Sequence, residues 1–199
     1  MVERKLSKED KESLKVVTPL FRVSYPHLLK PMQLKKTDKP KYSVTMLFPK
    51  NADLSEIKAA IRNAKVLKYG PKENWPEDLQ SPVSDGDNKK FKDKVGYAGH
   101  WVIKASTAEE YPPGVVDQKN RPITDAAKIY SGCYARAYIY ANAWEFAGKE
   151  GVSFILDYVQ FSHDGEAIGG GKKPADQVFT PLSTGDDEDD VSEDELEDF

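Results

Sequence analysis

Alternation of apolar and polar residues at every second position recurs in several short runs of this chain, and helical spacing occurs in one. Over 41–48, Tyr42, Val44, Met46 and Phe48 fall on one face and Lys41, Ser43, Thr45 and Leu47 on the other. That period predicts a half-buried strand. The stretch 15–25, KVVTPLFRVSY, is rich in β-branched and aromatic residues and predicts another strand, interrupted at Pro19. Phe21, Val23 and Tyr25 share one face, with Arg22 and Ser24 on the other. Pro26 and Pro31 are expected to bound a loop whose far end carries Lys35, Lys36, Lys39 and Lys41. Residues 96–106 predict a third strand, with Tyr97, Trp101 and Ile103 on one face and His100, Val102 and Lys104 on the other. The alternation is cleanest over 133–144. Tyr134, Arg136, Tyr138, Tyr140, Asn142 and Trp144 face one way; Cys133, Ala135, Ala137, Ile139, Ala141 and Ala143 face the other. A last strand is expected over 151–163, with a slip near Asp157 that suggests a bulge or burial on both faces.

The helical run is 53–68. Leu54, Ile57, Ile61 and Ala64 lie on one face, Asp53 and Glu56 suit a capping box, and Gly70–Pro71 ends it. Between helix and third strand runs the long connection 70–95. There Lys89, Lys90, Lys92 and Lys94 surround Phe91, and Trp75 is a candidate anchor. Five longer strands with one helix between the second and third, and no βαβ repeat, predict a mainly β chain. The expected architecture is an OB-fold-like five-stranded antiparallel barrel with one main helix, long loops and a disordered acidic C-terminal tail. The expected division is a flexible arm over 1–14, the barrel domain over 15–164, a Gly/Pro-rich linker over 165–185 and the tail over 186–199.

Charge changes the picture at that tail. DDEDDVSEDELEDF holds ten acidic residues and no basic one, and it ends on Phe199. The whole chain has 29 Lys and Arg against 33 Asp and Glu, a net −4; without the tail the same 29 face 23, a net +6. A basic body favours a polyanion, and the tail is itself one, tethered at high local concentration. The single Cys133 excludes an internal disulfide and suits a reducing compartment. No apolar run approaches the ~18 residues of a membrane helix, and the start MVERKLSKEDKESLK lacks a signal-peptide pattern. The expectation is a cytoplasmic protein, in the host cell if the source is a phage, with no membrane partner.

Few patterns suggest catalysis. His27, His100 and His163 are scattered, and one Cys cannot make a thiolate zinc site. GGGKKP at 169–174 fails the P-loop spacing, DGDN at 85–88 lacks the rest of a calcium loop, and G-x-S-x-G does not occur. No cofactor is expected. A single strand of nucleic acid offers a charged backbone and bare base faces, and cations with aromatic rings hold both. Rings two residues apart on a strand are about 6–7 Å apart, and each stacked base contributes roughly 1–3 kcal/mol. The candidate DNA-binding residues are therefore Tyr134, Arg136 and Tyr138, with Trp101, Lys104, Lys89, Lys90 and Arg22. The competing reading has the same aromatics filling the barrel interior.

The segments FRVSYPHLLKP (21–31), KYSVTMLFPK (41–50), GHWVIKAS (99–106), VVDQKNRPIT (115–124), YSGCYARA (130–137) and GVSFILDYVQFSHDGEAIGGG (151–171) carry a resemblance. The chain resembles a family of bacteriophage single-stranded-DNA-binding proteins, formerly a domain of unknown function, across about residues 15–180. The resemblance implies an OB-fold, no enzymatic activity and a role in replication, recombination or repair of phage DNA. The tail is similar to the acidic, Phe-terminated tails of other single-strand binders. By that likeness Asp194, Glu195, Glu197, Asp198 and Phe199 are expected to recruit replication proteins (polymerase, helicase or primase) and to compete with DNA. A homodimer is compatible with the barrel's edge strands. Two other readings stay open: a magnesium-dependent enzyme of DNA or nucleotide metabolism, and an interaction protein whose tail mimics DNA.

Overall fold

The computed structural model describes residues 6–33, 35–169 and 180. Apart from residue 180, the linker beyond 169 and the tail, with Asp194, Glu195, Glu197, Asp198 and Phe199, lie outside the described residues. The strands are β1 (Lys15–Val17), β2 (Phe21–Met32), β3 (Lys41–Pro49), β4 (Val83–Asp85), β5 (His100–Ala108), β6 (Gly114–Val116), β7 (Tyr134–Phe146) and β8 (Lys149–His163). Two α-helices are α1 (Lys8–Glu12) and α2 (Ser55–Tyr69).

The five long strands are the expected ones, and their pairing runs β7–β2–β3–β5–β8 with β8 returning to β7. The ring is therefore closed. Most of its ladders are antiparallel, but β5 meets β8 in parallel, at Ala105↔Phe154 and Ser106↔Ile155. With the long strands numbered one to five, the ring is the Greek-key barrel of an OB-fold. Short β1, β4 and β6 add to it, pairing with β7, β5 and β8 respectively. A two-residue turn joins β7 to β8, with positive φ at both Ala147 (49°) and Gly148 (73°) as a right-twisted hairpin requires.

Inward positions follow the alternation. Val44, Met46 and Phe48 of β3, Ile103 and Ala105 of β5, and Cys133, Ala135, Ala137, Ile139 and Ala141 in and just before β7 are buried in one core with Phe21, Val23, Phe154 and Leu156. Phe21 and Phe48 meet edge to face at 5.6 Å. α2 buries Ile57, Ala60 and Ala64 into the same core, and Ile61 packs against it partly buried. Tyr69 donates to the Trp144 carbonyl at 3.4 Å, which ties the helix end to β7.

Four local expectations are corrected. The arm is ordered from residue 6, because Ser7 and Asp10 form a capping box that starts α1: Asp10 N–H donates to Ser7 Oγ at 3.0 Å and Ser7 N–H to Asp10 Oδ2 at 2.9 Å. The box expected at Asp53 is absent. Asp53 Oδ1 accepts from Ser55 N–H at 2.9 Å instead, and Leu54 holds the cap position. Pro26 and Pro31 do not bound a loop, since β2 runs through both to Met32 with register shifts after Ser24 and His27. The expected linker begins late: Ile168 is buried against Leu47, Tyr97 and Val102, and its N–H donates to the Ser131 carbonyl at 2.9 Å.

That last packing depends on Gly132. Its φ is 120°, and a Cβ there would stand 2.2 Å from the Glu166 carbonyl oxygen. A Gly132→Ala variant is expected to lose about 1–3 kcal/mol of stability, read as a lower denaturation midpoint. Beside it, burial pushes the Cys133 thiol up to about 11. The folded value lies above the unfolded one, so this preference for the neutral thiol is fully present below pH 9 and is lost as pH rises from 9 toward about 11. An aromatic disulfide reagent at pH near 8 is expected to leave native Cys133 unmodified and to label it only on unfolding.

Candidate nucleic-acid interface

Once the core takes the inward positions, the outward ones on β2, β3 and β5 line up in rows. Register places Arg22 beside Leu47 and Leu47 beside Val102; then Ser24, Thr45 and Lys104; then His27, Ser43 and Ser106; then Met32, Lys41 and Ala108. The middle rows carry small hydroxyl side chains, Ser24 and Ser43 buried and Thr45 and Ser106 partly exposed, with Lys104 exposed and His27 half-buried; this strip between two flanking segments is the trough. Burial, chiefly, and the neighbouring Lys104 charge hold the His27 imidazole below its ordinary range.

Segment 86–99 closes one end of the trough. Phe91 and Tyr97 pack at 5.1 Å, and Tyr97 joins Leu47, Val102 and Ile168 in a second apolar cluster outside the barrel. The Tyr97 hydroxyl lies 3.2 Å from Ser24 Oγ. Lys50 ties the base of the segment by ion pairs to Asp85 and, at 3.4 Å, to Asp87. Asp87 Oδ1 accepts from Gly99 N–H at 2.7 Å. Opposite charge beside Asp85 holds its carboxyl below the usual range, through the Lys50 hydrogen bond first. The lysines of the segment are left on its outside. The ammonium groups of Lys89 and Lys92 make no hydrogen bond or ion pair within the described residues, and Lys90 Nζ donates to Ser84 Oγ at 3.0 Å. At the other end Lys35, Lys36, Lys39 and Lys41 are exposed on the turn from β2 to β3, which Gln33 pins by donating to the carbonyls of Lys36 and Asp38.

Two exposed rings border the trough. Tyr25 has φ of 45°, a conformation that L residues adopt at a cost. Its N–H donates to Ser131 Oγ at 3.0 Å, its side chain is 51% exposed, and Lys94 Nζ stands 4.5 Å from its ring centroid. Tyr111, 73% exposed, lies just beyond β5 at the lysine-rich end. The sequence reading placed Tyr25 on the face of Phe21 and Val23 by simple alternation and did not single out Tyr111. The available signal for Tyr25 was Pro26, since proline within a strand marks a bulge.

The other candidates separate. Lys104, Lys89 and Lys90 belong to the trough and its rim. Arg22 lies on the same sheet, but its guanidinium donates to the carbonyls of Glu166 at 2.6 Å and Gly132 at 3.4 Å, so it fastens the C-terminal segment. Trp101 packs partly buried against the core, with Lys50 Nζ 3.9 Å from its ring centroid. Tyr134, Arg136 and Tyr138 lie on the outer surface of β7 and β8, around the barrel. There Tyr134 stacks on His163 at 4.6 Å, Arg136 Nε donates to Gln160 Oε1 at 2.7 Å, and Tyr138 faces Tyr158 across the strands. Among the described residues no group of three or more His, Cys, Asp or Glu is placed to hold a metal, and no helix is long and apolar enough to cross a membrane.

The protein family described as Enterobacter phage Enc34, ssDNA-binding protein, matches residues 14–192. Putative protein p50 of Acyrthosiphon pisum secondary endosymbiont phage 1 is 32% identical over 185 residues, 88% of this chain and 97% of that one. The solved structure of the single-stranded DNA-binding protein from bacteriophage Enc34 in complex with ssDNA superposes with a TM-score of 0.67 at 27% identity, over 79% of this chain and 91% of that one. The bacteriophage T7 single-stranded DNA binding protein gp2.5, at 15% identity and a TM-score of 0.55 over 76% of this chain and 92% of that one, shares the fold.

The trough's electrostatics are measurable without a ligand. The His27 imidazole is expected to titrate below about 6.5, the ordinary histidine value, when followed by its ring proton resonances. Lys104→Ala is expected to raise that midpoint part of the way, since the cation is the smaller of the two causes.

Proposed function

The chain belongs to the family of the Enterobacter phage Enc34 ssDNA-binding protein, and from that premise we propose that it binds single-stranded DNA, without catalysis and with little sequence preference, in the trough over β2, β3 and β5. The observation that carries this reading is the trough itself. Hydroxyls, Lys104 and His27 form a floor between two lysine-bearing segments, and Tyr25 and Tyr111 stand at its border. Phosphates are drawn by the lysines and bases lie against the rings, which asks for no particular sequence. An OB-fold commonly uses this surface, the face of its second and third strands with the loop joining its first and second. Here those are β3, β5 and the turn carrying Lys35–Lys41.

We further propose that the tail visits the trough when DNA is absent and recruits replication proteins when DNA displaces it. Ile168 is packed beside Tyr97, at the rim of the trough. Sixteen residues separate Gly169 from Asp186, and a tether of that length lets the acidic residues reach cations of opposite sign. In this reading the protein protects single strands during replication, recombination or repair of phage DNA in the host cytoplasm.

Oligonucleotide titrations test the site. Tyr25→Ala is expected to cost roughly 1–3 kcal/mol of binding if one base stacks there. The double variant Lys94→Ala/Lys104→Ala is expected to lower the slope of log affinity against log salt by about 1.4, two phosphate contacts at ~0.7 each. Exposed Arg62 on α2 serves as the comparison, with no loss on Arg62→Ala. A larger loss from Tyr138→Ala than from Tyr25→Ala would move the primary site to the β7–β8 surface. Affinity independent of salt, or no weaker for duplex than for single strand, would overturn single-strand binding itself.

A further inference from the structure

Three clefts follow one another around the barrel from the trough to the β7–β8 surface. The first, about 140 Å³, is bounded by His27 and Lys30 on β2 and by Ala126 and Ile129. The turn holding Ala126 continues through Ala127 and Lys128 into the second and largest, about 880 Å³. That cleft is lined by segment 117–128 and by Phe161 of β8. Gln118 and Phe161 are shared with the third, about 280 Å³, which ends at Arg136, Gln160 and Leu20. His27 in the trough and Arg136 on β7 therefore lie at the two ends of a row of neighbouring clefts.

The charges of the large cleft are sorted. Each of its carboxylates is committed to local structure. Asp117 accepts from Lys119 N–H, Arg121 N–H and the Arg121 guanidinium, at 2.7–2.9 Å. Asp125 Oδ1 accepts from Ala127 N–H at 2.9 Å, and Asp164 Oδ1 from the Tyr130 hydroxyl at 3.0 Å. The ammonium groups of Lys119 and Lys128, by contrast, make no hydrogen bond or ion pair within the described residues, and both lysines line the cleft. Phe161, partly buried, and Ile123 give it an apolar wall. Gln160, at the far end, is fixed by donating to Asn120 Oδ1 at 2.7 Å and the Asp117 carbonyl at 3.2 Å while accepting from Arg136. The segment is thereby held on β8.

We propose that this cleft is a second nucleotide subsite, which takes the continuation of a single DNA strand already held in the trough. The inference rests on the trough reading above. A base lies against Phe161, Lys119 and Lys128 meet the flanking phosphates, and the strand ends its course at Arg136. Apolar wall and unpaired cations match the two parts of a nucleotide, and the first cleft gives continuity with the primary site.

The test is a length series of oligothymidylates, from about 4 to about 16 nucleotides, the range covered by single OB-folds. It compares the full chain with its Lys119→Ala/Lys128→Ala variant; both lysines are exposed, and removal of neither touches the core. Four-nucleotide strands, held by the trough alone, are expected to bind both proteins equally. Sixteen-nucleotide strands are expected to bind the variant more weakly, with a salt slope reduced by about 1.4. Phe161→Trp supplies a second readout, a fluorescence change that appears only with the longer strands. Equal affinity and slope at every length, with no fluorescence change, overturns the subsite while leaving the trough intact. Failure of the shortest strands to bind either protein, or to respond to Lys104→Ala, overturns the trough reading instead.

Discussion

The barrel interior has to be filled, and that single packing constraint sets almost everything outside it. Phe21, Phe48, Phe154 and Met46 supply bulk on β2, β3 and β8, while Ala135, Ala137 and Ala141 keep β7 thin enough to close against them. Interiors of this kind are packed to near-crystalline density, so a one-residue slip of any strand would be intolerable. With the inward residues fixed, the outward ones are fixed too. Lys104 stands beside Thr45 and Ser24 because Ile103 and Met46 are paired inside.

This is why so much of the fold was legible. Alternation reports which side of a strand meets the core, and it separated the faces of β3, β7 and β5 from Trp101 onward, while Tyr97, expected beside Trp101 and Ile103, precedes β5 and packs outside with Val102. It failed where the period itself breaks. Tyr25 follows two inward residues at the right spacing, yet its left-handed backbone and the register shift after Ser24 turn it out to solvent and bury Ser24 in its stead. Leu47 showed the opposite ambiguity. It lies on the outward face and is still fully buried, because Tyr97 and Ile168 arrive from distant parts of the chain. No local pattern encodes a contact between residues 47 and 168. The same long-range segment consumes Arg22, a residue that charge alone nominated for DNA. The start of α2 was misread for a related reason, while its end at Gly70 was not: Asp53 had the right spacing for a cap, but its carboxylate closes a tighter turn two residues on.

The candidate site was legible in kind and less so in place. Basic clusters flanking aromatic strands were visible, but their grouping depends on the order of strands around the ring. Because β2 stands between β7 and β3, the ring-bearing surface of β7 cannot share a face with Lys104. The sequence had no means of weighing that, since strand order is set by closure and not by neighbours along the chain.

The distribution of arginine gives the trough its chemical character. Arginine's planar fork pairs with base edges and carboxylates in fixed geometry, whereas lysine presents a compact, strongly hydrated charge on a flexible stem. In this chain the arginines near candidate surfaces are already engaged. Arg22 holds two carbonyls, Arg121 is bound to Asp117, and Arg136 is oriented by Gln160. The charge around the trough is carried by lysines, set over a floor of hydroxyls that can donate or accept. Such a surface attracts a phosphate backbone wherever it falls and imposes little base-specific geometry. Rings at the border add stacking that every base satisfies. In the proposed reading, low sequence selectivity follows from the choice of cation, while Arg22 and Arg121 are engaged in holding the scaffold together.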